Sequence, residues 1–300
     1  MAVSTPERSR AEGRARRAPG LGARRLALLG PALTWWALLL VAPVLLILAY
    51  SIFRRGIYGG VVYEATLDNF DRLLDPLYLR VVWFSVRVAL ETTVLALLIG
   101  FPVAWFIATR PRRWRTALLV VIVLPFWTSM LIRTYAWMAL LNDEGLVNNG
   151  LESVGLIDRP LKLLYNEFAV VLGLLYTYLP LMVLPLYAAI ERLPRELREA
   201  SHDLGANSLK SFLTVVLPLT RTGVAAGCLF VFVPALGNFI VPELLGGGRR
   251  QMVGNLIQVQ FMEARDWPFG ATLALAVMAL MGLFLLVQAK LAGRDRLEAA

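Results

Sequence analysis

Six stretches of this 300-residue chain are apolar over the length that a lipid bilayer imposes, and that leaves few folds open. A helix needs about 20 mostly apolar residues to cross the hydrocarbon core. Runs of that kind lie near 30–53, 81–108, 116–138, 168–190, 220–242 and 268–289. Bilayer hydrocarbon offers the backbone no water, so runs this long can only be helices. The connections carry turn residues, as in "RRGIYGG", "RPRRWR", "LNDEGLVNNG" and "ELLGGGRRQ". Charged residues make up 17% of the chain, against about 25% in soluble domains. The sequence predicts an all-α integral membrane protein with six transmembrane helices.

Lysine and arginine set the orientation. The side that would hold both termini carries 19 of them and the opposite side 9, with Arg87 and Arg133 left inside spans. Basic connections stay in the cytoplasm, which predicts cytoplasmic termini and a cytoplasmic segment 191–218 between helices 4 and 5. Residues 1–26 read as a basic cytoplasmic tail, 27–290 as the membrane domain and 291–300 as a cytoplasmic C-terminal tail. The net charge of +9 could suggest a nucleic-acid partner, but the excess sits in short connections beside spans, so lipid is the expected neighbour. The apolar run from Leu26 to Phe53 is far longer than a signal-peptide core of about 7–15 residues and is read as a retained first span. One cysteine, Cys228, and one histidine, His202, can build neither a disulfide framework nor a cysteine/histidine metal site.

Several spans carry more than apolar bulk. Pro234 lies near the middle of the fifth, with Gly237 and Asn238 just after it. Proline removes a backbone bond and kinks a helix. Freed backbone at that depth must be buried in protein or line a wet cavity, so the interruption marks either a transport path or a packed kink. Arg87 and Glu91 stand four apart and share a helix face, with Glu91 about 15 Å into its span. The pair is either an acidic group on a cation path or an ion pair that locks helices. Arg133 comes late in an outward-running span, where it can snorkel to the interface.

The segment 191–218 is only half apolar. Pro194 suits a first helical turn, and Leu197, Ala200 and Leu204 follow at helical spacing. Gly205 is placed to end that helix in a left-handed conformation. Asn207 or Ser208 can cap a second helix with Leu209, Phe212, Leu213 and Val216 on one face, and Pro218 opens the next span. Such a helix–turn–helix could carry force from a soluble partner into the spans, or lie on lipid as an amphipathic loop.

The segment resembles the EAA loop of binding-protein-dependent ABC transporter permeases: Glu-Ala-Ala, three residues, Gly, nine residues, Ile, one residue, Leu-Pro. Glu199, Ala200, Gly205, Leu217 and Pro218 match, while Ser201 and Val215 replace the third residue and the isoleucine. "GFPVAWFIA", "PFWTSMLIRTYAW", "PALGNFIVPELLGG" and "RDWPFGA" look like the first permease of spermidine/putrescine-type importers. The resemblance implies a transporter subunit of the bacterial inner membrane, not an enzyme. A periplasmic or lipoprotein substrate-binding protein would deliver solute to this chain and a second, distinct permease. Two copies of a cytoplasmic ATPase would drive transport, and the loop would couple to the ATPase through Glu199, Ala200, Ser201, Gly205, Val215, Leu217 and Pro218. ATP belongs to that partner, because the chain has no G-x-x-x-x-G-K-[ST] loop to cradle phosphates.

A polyamine, or another small organic solute, is the implied substrate class. Acidic and aromatic groups would suit a flexible polycation by ion pairing and cation–π attraction. Glu91, Asn238, Glu243, Asp266 and Trp267 are the path candidates, although Trp267 also fits an interfacial anchor. A six-span channel would share the topology but lacks an arginine ladder here. A secondary transporter would need a proton or ion relay, which one histidine and scattered acids supply poorly.

Overall fold

The computed structural model describes residues 21–248 and 251–297. The tail 1–20 and the last three residues therefore lie outside the described residues. The chain runs through a long helix α1 (Leu21–Ser51) into a hairpin of β1 (Phe53–Arg55) and β2 (Val61–Ala65). Next come α2 (Asp68–Leu73), α3 (Pro76–Ala108), α4 (Arg112–Val123), α5 (Met130–Leu141) and α6 (Leu146–Ser153). After these follow α7 (Glu167–Glu191), α8 (Arg195–Asp203), α9 (Ser208–Ser211), α10 (Leu217–Leu236), α11 (Ile240–Gly246), α12 (Val253–Met262) and α13 (Trp267–Leu297). Residues up to Leu46 form a unit by themselves, and the rest of the chain forms a second. Among the described residues five helices are long and apolar enough to span a bilayer, or six if a bent pair counts as one.

The core of the second unit is a three-helix bundle of α3, α7 and α10, and glycines set how closely the helices approach. A Cβ on Gly227 of α10 would lie 2.6 Å from Met182 Sδ on α7, and one on Gly100 of α3 would lie 2.9 Å from Met182 Cγ. Met182 is fully buried where the three helices meet, so each glycine admits the same side chain from one side. Small residues let backbones close up where lipid gives no hydrophobic drive between helices. α13 joins this bundle through Phe284, which stacks on Phe232 of α10 at 4.0 Å.

The ends of the spans follow capping chemistry. Asp75 accepts from Leu77 N at 2.8 Å to start α3, and Asn166 accepts from Ala169 N at 2.9 Å to start α7. Each satisfies a backbone donor that the first turn leaves without a partner.

Three features depart from the plain six-rod reading. The third apolar run is not one rod: the helix that begins at Arg112 passes through a tight 3₁₀ turn at Leu124–Trp127 and then bends by 91° into α5. Pro125 opens that turn, and Thr128 and Ser129 are extended, which breaks the helical ladder. The fifth run begins earlier and ends earlier than expected, because one helical path runs from Ser208 to Leu236. A widened π turn at Phe212–Val216 carries that path up to Pro218, where a regular turn would drive the proline ring against the carbonyl four residues back.

The β-hairpin is the third departure. Its strands pair antiparallel and turn through Gly59 and Gly60, both at positive φ. A Cβ on Gly59 would lie 2.9 Å from Arg265 Cβ, so the turn fits only glycine against its neighbour. The hairpin is pinned at its base by Asn69, which donates to Ser51 O and Phe53 O at 3.0 and 2.8 Å. Arg55 adds a bond to Ala264 O at 2.8 Å.

Candidate functional site

Two places in the second unit can do work: the helix pair 195–211 and the break at the far end of α10. In the helix pair, α8 ends at Gly205 with φ +82. Gly205 N donates to His202 O at 2.9 Å and Ala206 N to Ser201 O at 3.0 Å. These are the two bonds of a Schellman motif, and the left-handed residue in it is almost free of penalty only as glycine. Asn207, not Ser208, caps α9 by accepting from Lys210 N at 2.8 Å.

The two helices are clamped by a hydroxyl pair buried between them, Ser201 Oγ to Ser211 Oγ at 2.6 Å. An alanine at 201 could not make that bond, so the serine found there ties α8 to α9. Glu199 and Ala200 are exposed, Val215 and Leu217 are half-buried, and Pro218 is exposed. Leu204 and Leu209 flank the turn and are 89% and 66% exposed. Helical spacing places both on an apolar face, and the structure turns that face outward. They form an apolar tip, the kind of exposed patch that marks a contact surface.

α9, the π turn and α10 form one helical path, which joins the tip to the bundle of α3, α7 and α10. Phe212 packs edge-to-face on Phe101 of α3 at 5.1 Å. Between them and the tip lies a groove of about 800 Å³, walled by Leu98, Phe101 and Trp105 on one side and by Glu199, His202 and Phe212 on the other. A second tie was not legible in the sequence. Arg115, in the first turn of α4, holds Glu191 at the end of α7 at 3.0 Å and donates to Arg110 O at 2.6 Å. The "RPRRWR" connection is thereby joined to the root of α8.

At the other end of α10 the helix stops at Leu236, and the break is closed by side chains. Tyr178 of α7 donates to Pro234 O at 3.2 Å and accepts from Asn238 Nδ2 at 2.7 Å. Asn238 Oδ1 accepts from Val241 N at 2.9 Å and so starts α11. The first turn of α12 covers the break, since a Cβ on Gly254 would lie 2.7 Å from Gly237 O.

The path candidates do not form a single cluster. Asn238 is buried in the break. Glu243 stands exposed on α11 with Asn255 Nδ2 donating to it at 2.9 Å. Arg87 pairs with Glu91 at 3.6 Å and also with Glu167 at the head of α7, which ties α3 to α7. Since the head of α7 stands level with Arg87, α3 projects beyond it, and Glu91 lies shallower than its place in the sequence suggests. Trp267, 44% exposed, packs edge-to-face with Tyr50 at 6.1 Å and Phe261 at 6.2 Å.

Asp266 is fully buried. It accepts from Arg72 at 2.7 Å, with Arg55 at 4.0 Å and Phe269 N at 3.2 Å. Arg72 also lies over the Phe269 ring at 4.0 Å. Burial alone would lower the Arg72 pKa, but hydrogen bonds to Asp266 and Tyr78 outweigh it and raise it. Asp266 thus joins the hairpin, α2 and the head of α13. Arg72→Ala, which leaves a buried carboxylate poorly compensated, is expected to cost about 3 kcal/mol. Thermal unfolding in detergent would register this as a clear fall in Tm.

Residues 96–295 match the family described as "Binding-protein-dependent transport system inner membrane component". The chain belongs to that family. It is 44% identical over 253 residues to "Spermidine/putrescine transport system permease protein PotB" of Escherichia coli, an alignment that covers 84% of this chain and 92% of the relative. The Haemophilus influenzae protein of the same name is 41% identical over 254 residues, 85% and 89% of the two chains. Among solved structures, a chain of a bacterial alginate ABC transporter, in complex with an alginate pentasaccharide-bound periplasmic protein, superposes with a TM-score of 0.68. That match is at 18% identity and covers 91% of this chain and 94% of the other, and it shows the shared fold. This family member is a multi-pass inner-membrane permease, and transport, not catalysis, is its activity.

Proposed function

We propose that this permease imports polyamines, spermidine and putrescine among them, and that ATP hydrolysis on a separate chain drives it by alternating access. The observation that carries the coupling half of this reading is the rigid unit at 195–218: a glycine-ended helix, a buried serine clamp and an unbroken helical path into α10. Glu199, Ala200, Ser201, Gly205, Val215, Leu217 and Pro218 form the surface and hinge of that unit, with Leu204 and Leu209 at its tip. Two copies of a cytoplasmic ATPase are the fitting partners, one of them seated here, and the ATP they hydrolyse is bound by them. A second, distinct permease faces this one, and a periplasmic or lipoprotein binding protein delivers the substrate on the opposite side. Both termini are cytoplasmic in this arrangement, in keeping with the basic excess on the side of 109–115 and 191–222.

The substrate half rests on the relatives' names and on an acid of α11, Glu243, that no arginine among the described residues meets. Uptake of labelled spermidine and putrescine by cells that lack this chain tests it. Loss of uptake that the restored chain rescues supports a polyamine importer. Unchanged uptake rejects the substrate while leaving the permease role in place.

A further inference from the structure

Of the carboxylates on α3, α7 and α11 and at the head of α13, all but one meet an arginine. Glu91 and Glu167 share Arg87, Glu191 meets Arg115, and Asp266 meets Arg72. Glu243 is the exception among the described residues: its partner is the neutral amide of Asn255.

The placement of Glu243 is built. On α11, Val241 and Leu245 are fully buried against Gly173 of α7. Residue 243 falls between them in sequence and points to the other side of the helix. Gly173 lies six residues, roughly 9 Å, along α7 from Glu167, so α11 sits inside the level at which the spans emerge. Lipid does not hold an ionised carboxylate at such a depth, and charges there face protein or a watery cavity.

Asn255 fixes the direction. It is 1% exposed, and its Nδ2 donates to Phe239 O at 2.7 Å and to Glu243 Oε2 at 2.9 Å. Its Oδ1 accepts from Met252 N at 3.2 Å. Every hydrogen-bonding direction that the amide needs to hold its pose is used, so it cannot turn without leaving the Phe239 carbonyl bare. The amide holds one carboxylate oxygen, and among the described residues no cation meets the other. A cation is the ligand that completes such a group.

We propose that Glu243 is the fixed anionic contact for a cationic amine substrate at the end of the path beside α11 and α12, and that Asn255 is its positioning residue. The proposal rests on the polyamine reading and adds to it the atom that meets the substrate. A contact of this kind discriminates by charge: spermidine, with three ammonium groups, depends on it more than putrescine, with two.

The test uses the complete transporter in proteoliposomes with saturating binding protein, and reads uptake of each amine alongside ATP hydrolysis. Glu243→Gln should lower spermidine uptake per ATP about tenfold, the loss of one charge-assisted contact, and putrescine uptake less. Hydrolysis stimulated by the loaded binding protein should persist. Asn255→Ala should shift the spermidine-to-putrescine ratio the same way, and Glu64→Gln, an exposed hairpin position, should leave it at the wild-type value. Wild-type ratios in Glu243→Gln would overturn the proposal, as would equal loss of both amines together with stimulated hydrolysis, the mark of a merely structural residue. A wild-type transporter that carries neither amine would instead remove the polyamine reading, and this proposal with it.

Discussion

A Gly205→Trp permease inserts normally, is found in the membrane in wild-type amount, and fails to transport. Gly205 holds φ +82, where a side chain costs about 1–2 kcal/mol. Yet a Cβ built there meets nothing within 4 Å in this chain. The fold therefore has room for a larger residue, and under the proposed docking the loss is expected where the turn meets the ATPase. Gly205→Ala separates the two effects, because it carries the backbone strain without the bulk. The alanine variant should keep most of its uptake. The tryptophan variant should lose at least about tenfold, equivalent to about 1.4 kcal/mol of docking, while the ATPase still hydrolyses ATP. Full uptake by Gly205→Trp would remove the coupling role from this turn.

Gly223→Leu gives the opposite phenotype, a chain that does not accumulate. A Cβ at 223 would run into Ala189 Cβ and lie 2.8 Å from Pro185 O on α7. The obstacle is partly backbone, so no rotamer change on α7 relieves it, and α10 must move away from the helices it anchors. Overpacking of this kind costs about 1–3 kcal/mol where side chains can yield, and here the upper end or more is expected. Membrane abundance and thermal stability should both fall, with residual uptake in proportion to the protein that remains. At Gly227 the first obstacle is the flexible Met182 side chain, so Gly227→Ala should be milder. Equal stability of Gly223→Leu and wild type would contradict the close approach of α7 and α10.

The spans and the helix pair at 195–211 were legible because their signals are local. Hydrophobic length marks a span wherever it occurs, and Pro194, Gly205 and Asn207 each declare a helix end by their own backbone chemistry. What stayed hidden depends on residues far apart in sequence. Nothing near Asp266 announces that Arg72 covers it, and nothing near Arg87 points to Glu167, 80 positions away. Asn255 carries no motif, and its importance appears only when α12 closes over the break after α10. The interruption at Pro234 suggests a path or a packed kink, and Tyr178 reaching across from α7 accounts for the second of these. The bend after Trp127 did leave a signal, Pro125, but the apolar length of 116–138 outweighed it, and the "YGG" turn marks a turn without saying that the strands on either side of it pair. Leu204 and Leu209 show the opposite failure: helical spacing marks a face as apolar without saying whether the chain itself or another protein covers it.

The most direct measurement is a cross-link from the tip of the helix pair at 195–211. With Cys228 replaced by serine, a single cysteine introduced as Leu204→Cys is the only thiol in the chain. Treated in membranes that contain the whole transporter, it should form a covalent adduct with the ATPase through a short thiol-reactive linker, and ATP should change the yield. A Leu204→Cys permease that supports uptake yet gives no adduct with the ATPase, with or without ATP, would contradict the claim that force enters the spans through this turn.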